Sequence, residues 1–139
     1  MTERHYLPTL ADLIDRLSIV QLKEIFIQEH SAEYKAERQL IEHDIDLILE
    51  EIPHDITVKE LHAVLMIMLT NRVIWENESK ARAGGPEQDK FLKFTHSING
   101  VRNRAKNIIA AFEDGRSDYK TDCLAADLDP QFGHWDIFP

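Results

Sequence analysis

The chain has 139 residues, of which 43% are hydrophobic and 29% charged, and carries a formal net charge of −9. That length and balance describe a single globular domain, residues 1–139, large enough to bury a core. The acidity, with no cluster of Lys or Arg, argues against nucleic acid or an anionic membrane as partner, since both need a basic surface. The one cysteine, Cys123, excludes an internal disulfide and a cysteine-based zinc site. The opening MTERHYLPTL has no apolar core of signal-peptide length. The longest apolar run, residues 63–69, is far shorter than the roughly 18 residues of a membrane span. The cytoplasm is therefore the expected compartment.

The first helix is expected over about 10–30. Thr9 is a candidate N-cap, and Asp12 three residues on suits the positive helix end. Leu13, Ile14, Leu17, Ile19, Val20, Leu22, Ile25, Phe26 and Ile27 fall on nearly every side of this helix. A surface helix keeps a polar back, so this one is expected to run through the middle of the fold. It nevertheless carries Asp12, Asp15, Arg16 and Lys23. Asp12, Arg16 and Lys23 lie within about 40° of one another, with Asp15 about 60° to one side.

The second helix, about 32–51, is an ordinary amphipathic element. Its core face is Ile41, Ile45, Ile48 and Ile52, helped by Leu40 and Leu47, and Pro53 ends it. The third, about 58–83, opens on a capping box of Thr57 and Glu60, with Ile56 and Leu61 spaced as a hydrophobic staple. Gly84-Gly85 stops it. Its apolar run, residues 63–69, surrounds the helix, which places the element centrally or at a subunit interface. Asn71, Trp75, Glu78 and Arg82 then continue one face, so that a core-facing stripe turns polar towards its carboxyl end.

The fourth helix, about 86–114, has Pro86 at a favoured first position. Phe91, Phe94, Ile98, Val101, Ala105, Ile108 and Phe112 form an a/d seam, with Arg102 and Lys106 beside it. Gly100 in mid-helix suggests a close helix approach or a ligand. The tail, 116–139, has no helical period, but Phe132, Trp135, Ile137 and Phe138 are too apolar for a solvated segment. It is expected to pack on the bundle or on a neighbouring subunit. The sum is an all-α four-helix bundle with an extended tail.

The candidate chemistry lies in the polar residues of the inner helices. As a ligand site, Asp12, Asp15 and Glu78 would hold Mg²⁺ or Mn²⁺, which prefer hard oxygen ligands. Lys23, Asn71, Trp75, Arg82, Arg102 and Lys106 would then hold a phosphorylated ligand or nucleotide-sugar. As architecture, Asp15 or Glu78 would pair with Arg82 or Arg102 and need no ligand or cofactor. The dipeptides His43-Asp44 and His54-Asp55 lack the further ligands of a metal phosphohydrolase and read as surface. Trp75 and Phe94 are spaced as core aromatics, though either could stack a base. Neither HExxH nor a P-loop, GxSxG or dinucleotide fingerprint is present.

Three segments carry a resemblance: DLIDRLSIVQLK from Asp12 to Lys23, N-x-x-x-W-x-x-E-x-x-x-R from Asn71 to Arg82, and R-x-x-x-K from Arg102 to Lys106. Together they resemble small, uncharacterised all-helical bacterial and phage proteins, some encoded beside glycosyltransferases, over about residues 10–110. This resemblance implies a helical fold and no particular activity. A second, architectural resemblance is to the all-helical nucleotide pyrophosphatases of the MazG and dimeric dUTPase kind, which hold Mg²⁺ with E-x-x-E and E-x-x-D pairs. Neither pair occurs here; Asp12-x-x-Asp15 is the comparable one. The expectation is a non-catalytic interaction or binding module, acting as a homodimer. The alternatives are a binder of a phosphorylated small molecule and a Mg²⁺-dependent nucleotide pyrophosphohydrolase.

Overall fold

The computed structural model describes residues 7–114 and 130–138. The expectation for residues 116–129, including Cys123, lies outside the described residues. Four helices follow one another: α1 (Leu10–Phe26), α2 (Ser31–Glu51), α3 (Val58–Arg82) and α4 (Gln88–Asp114). They pack together as an all-α bundle.

Local chemistry explains most of the boundaries. Thr9 and Asp12 form a reciprocal capping box at α1, with Asp12 N–H donating to Thr9 Oγ1 and Thr9 N–H to Asp12 Oδ2, both at 3.2 Å. At α3 the Thr57 N–H and hydroxyl both donate to Glu60 Oε1 at 2.8 Å. Gly84 and Gly85 then take φ of +77° and +100°, a left-handed backbone that side chains rarely allow, and α3 stops there. Two boundaries differ from expectation. The helix expected to reach residue 30 ends at Phe26, and a single 3₁₀ turn, Gln28–His30, leads into α2. The helix expected from Pro86 begins at Gln88, because Pro86 is used in the turn after the two glycines.

The architecture is a long antiparallel hairpin, α3–α4, with α1 laid against it and α2 outside. Of the described helices, α1 alone packs against the other three, and the backbone of α2 approaches only α1 and the turn between them. The central place expected of α1 follows from its residues: Leu10, Ala11, Leu13, Val20 and Leu22 are all buried. The main core joins Leu10 and Ala11 of α1, Ala63, Met66 and Ile67 of α3, and Val101, Ala105 and Ile109 of α4. Ala63 and Ala105 are fully buried, and such small residues let helix backbones approach closely. On α2, Ile41 is buried, and Ile45, Ile48 and Ile52 pack on the core. Leu40 and Leu47 do not join them; both point outward, so the core face of α2 is narrower than its leucines suggest.

The described part of the tail packs on the bundle. Trp135 and Phe138 lie against the main core. Phe94 meets Phe132 and Trp135 edge-on, with centroids 5.1 and 6.0 Å apart. Arg104 Nη1 pairs with Asp136 Oδ2 at 2.6 Å. Among the described residues no helix is long and apolar enough to cross a membrane.

Candidate functional site

The polar residues of α1 divide between two neighbours. Arg16 pairs with Glu37 of α2 at 3.4 Å, and Lys23 lies 5.8 Å from the centre of the Tyr34 ring. Glu24 takes a two-pronged contact from Arg38, Nε to Oε2 at 2.6 Å and Nη2 to Oε1 at 3.1 Å. These contacts fasten α2 to α1. Asp12, Asp15 and Ser18 turn instead towards α3 and α4. They recur every third residue, and each step rotates them by about 60°, which follows the crossing helices.

Asn71 of α3 is the hub and is buried. Its Nδ2 donates to Asp15 Oδ1 at 2.7 Å and to Ser18 Oγ at 2.6 Å. Its Oδ1 accepts from Arg102 Nη1 of α4 at 2.8 Å. Ser18 Oγ in turn donates to the Asp15 carbonyl at 3.1 Å. Both amide hydrogens and the carbonyl of Asn71 are thus engaged, which also settles the orientation of its amide. One turn along α4, Lys106 Nζ lies 3.3 Å from Asp12 Oδ1 and 3.5 Å from Asp15 Oδ2. At the start of α1, Glu113 Oε1 accepts the Leu10 N–H at 2.9 Å, setting a carboxylate at the positive helix end.

The network therefore links α1, α3 and α4 with alternating charge: Asp12 and Asp15, then Lys106 and Arg102, bridged by Asn71. Isolated burial of an ion costs several kcal/mol. Here each half-buried ion faces an opposite charge or an amide of suitable sense. Further along α4, Thr95 Oγ1, Asn99 Oδ1 and Arg102 Nε are buried without a hydrogen-bond partner among the described residues, so the polar seam is satisfied at its Lys106 end and open at its Thr95 end.

Burial pushes the Asp12 carboxyl up, but the Thr9 N–H and the Lys106 charge outweigh it and hold the group below the usual carboxylate range. The Thr57 N–H holds Glu60 low in the same way, and Arg38 does so for Glu24. A carboxyl whose value is lower in the folded than in the unfolded chain adds stability above its unfolded value. That stability is lost as pH falls through the folded value. The melting temperature is accordingly expected to stay level from pH 7 to about pH 5 and to fall below it. Glu60→Gln, followed by melts across the same range, should show a shallower acid fall. An unchanged slope would mean that this cap does not titrate.

Of the residues singled out in the sequence, Asp12, Asp15, Asn71, Arg102 and Lys106 come together. Lys23, Trp75, Glu78 and Arg82 do not join them. Glu78 lies two turns beyond Asn71, about 10 Å of helix rise, and pairs with Arg82 at 3.9 Å on the exposed end of α3. No three His, Cys, Asp or Glu among the described residues are grouped so as to hold a metal ion. Trp75 lines a separate groove of about 440 Å³ with Phe26, Arg72, Glu76, Ser79 and Lys80. Arg72 stacks over the Phe26 ring there, 4.4 Å from its centre. Sequence reasoning missed Ser18 and Glu113. Ser18 had a signal, a lone small polar residue inside an apolar run three positions after Asp15; Glu113 had none. Fold and network together define a helical bundle with an internal polar latch. No protein-family model, curated protein or solved structure matches the chain.

Proposed function

We propose that this protein is a non-catalytic helical interaction module and that its inner charged residues are architecture. The observation that carries this reading is the full engagement of Asn71 by Asp15, Ser18 and Arg102. Of the groups that a phosphorylated ligand or a divalent cation would have used, Asp12, Asp15, Asn71, Arg102 and Lys106 already face one another. Asp12 and Asp15 share Lys106, so a cation arriving there would displace an ammonium that is already in place.

A second reading has one observation in its favour. The Phe26–Trp75 groove brings two aromatic rings beside Arg72 and Lys80, a combination that suits a phosphorylated aromatic ligand such as a nucleotide. It uses Trp75 but none of the network.

The test is a thermal melt with millimolar Mg²⁺ or Mn²⁺, with and without nucleotides and nucleotide-sugars. The module reading expects a flat panel. A ligand present at a hundred times its dissociation constant would add about 2.7 kcal/mol, a rise of several degrees for a domain of this size. A rise with nucleotide that Trp75→Ala removes would replace the module reading with the groove. A rise that requires metal and is removed by Asp15→Asn would replace it with the hydrolase.

A further inference from the structure

Residues 130–138 sit on the bundle as a bound peptide would. A 3₁₀ turn, Pro130–Trp135, leads into an irregular end, and none of these residues is fully buried. The segment is held by its side chains. Phe132 and Trp135 meet Phe94 of α4 edge-on, Phe138 meets His62 of α3 with centroids 5.7 Å apart, and Asp136 pairs with Arg104 of α4. Among the described residues no backbone–backbone hydrogen bond joins the segment to the helices. The Asp136 and Ile137 N–H groups close instead on its own Gly133 and Trp135 carbonyls. A terminal segment with few buried contacts lies at the easily opened end of a structure. Nor does it fill its seat. A cavity of about 200 Å³ remains beside Phe132, lined also by Asn77, Lys90, Phe91 and Phe94.

We propose that this seat is a docking site for a segment of a partner protein, and that the chain's own tail is the competitor built into it. The proposal rests on the module reading above and names the chemistry of the partner. The tail itself shows what the seat recognises: rings at Phe132, Trp135 and Phe138, spaced three apart, and a carboxylate at Asp136 for Arg104. Tryptophan, other large rings and arginine are the anchors on which protein interfaces mostly depend. A partner segment therefore carries large rings at three-residue steps and a carboxylate. The tail stays tethered through residues 115–129, and a tether of such length holds a segment near its seat at an effective concentration of order millimolar. A partner must bind more tightly than the tail alone to displace it. The unfilled space by Phe91 and Phe94 supplies the added contact, and Lys90 there suits an acidic flank.

Anisotropy of a labelled peptide with the sequence of residues 130–139, titrated with the full chain, tests this. Phe132→Ala with Trp135→Ala vacates the seat. That variant should keep the helical circular dichroism of the wild type and bind the peptide in the micromolar range. The wild type should bind it roughly tenfold more weakly or worse, because the attached tail competes. In the vacated background Arg104→Glu should abolish binding, and an Asp136→Lys peptide should restore it. Peptides selected on the vacated variant from a random library should carry rings three residues apart and an acidic residue, and the tightest should displace the tail of the wild type. Loss of the helical signal in the double variant would make the tail part of the core and overturn the proposal. Equal binding to variant and wild type, no binding to either, binding indifferent to Arg104, or a selection without that pattern would each do the same. A wild-type dimer that the double variant loses would give the seat to the tail of a second copy and overturn the outside partner. Absent peptide binding with a flat ligand panel overturns the docking site alone, whereas a nucleotide-dependent melt overturns the module reading whatever the peptide does.

Discussion

Asn71→Ala is expected to lower the stability of the bundle by about 3 kcal/mol and its melting temperature by roughly 10 °C. The truncation removes one donor from Asp15, the partner of Ser18 and the acceptor for Arg102 in a single step. Groups that stay buried without a partner bear about 1–3 kcal/mol each, more when charged, and partial rehydration of Arg102 and Asp15 limits the sum. Asn71→Asp, nearly the same in shape, separates charge from packing. It keeps an acceptor for Arg102 but sets a carboxylate against Asp15, so it too should be destabilising. Chemical denaturation at neutral pH measures both. Glu78→Gln is the control: its pair with Arg82 is long and exposed, and the change should fall within about 0.5 kcal/mol. An Asn71→Ala protein as stable as the wild type would sink the view that the network is what ties α1 to the hairpin.

Ile67→Ala is expected to cost about 3–4 kcal/mol, while Leu65→Ala, two residues away, should change stability by less than about 0.5 kcal/mol in dilute protein. Ile67 is fully buried among Leu10, Ala63 and Val101 of the main core, and removing its methyls leaves a cavity that three packed helices cannot close. Leu65 is 68% exposed in the single copy. Guanidinium unfolding of dilute protein measures both. A loss at Leu65 as large as that at Ile67 would mean that the outward side of α3 is covered within the single chain.

Several features needed nothing beyond the amino-acid sequence. The four helices, the N-cap at Thr9, the capping box at Thr57, the glycine stop after Arg82 and the central place of α1 rest on neighbours within a few residues or on apolar periodicity. Local hydrogen bonds and backbone sterics act over one turn, so the sequence states them directly. The residues that would meet inside were partly legible too, since a charge on a helix with no polar back must find a partner. Asp12 and Asp15 were named on that ground, Asn71 because it continues an inward face of α3, and Arg102 and Lys106 because they flank the α4 seam.

The tertiary structure decided which of these charges met. Arg16 and Lys23 share a stripe with Asp12 in the helical projection, yet they turn to α2, because α1 is flanked by a different helix on each side. Glu78 and Arg82 continue the face of Asn71 but run past the region where α1 crosses α3, and so reach solvent. Leu40 and Leu47 look like core in sequence and face outward, because α2 packs on a single neighbour. Ile67 was set with Val64 and Met68 on the core-facing stripe that Asn71 continues, but the run from residue 63 to 69 surrounds the helix and gave no place to Leu65. Period and composition describe a helix about its own axis, whereas burial depends on where the other axes lie. That is set by close approach at Ala63 and Ala105 and by one amide that holds three helices at once.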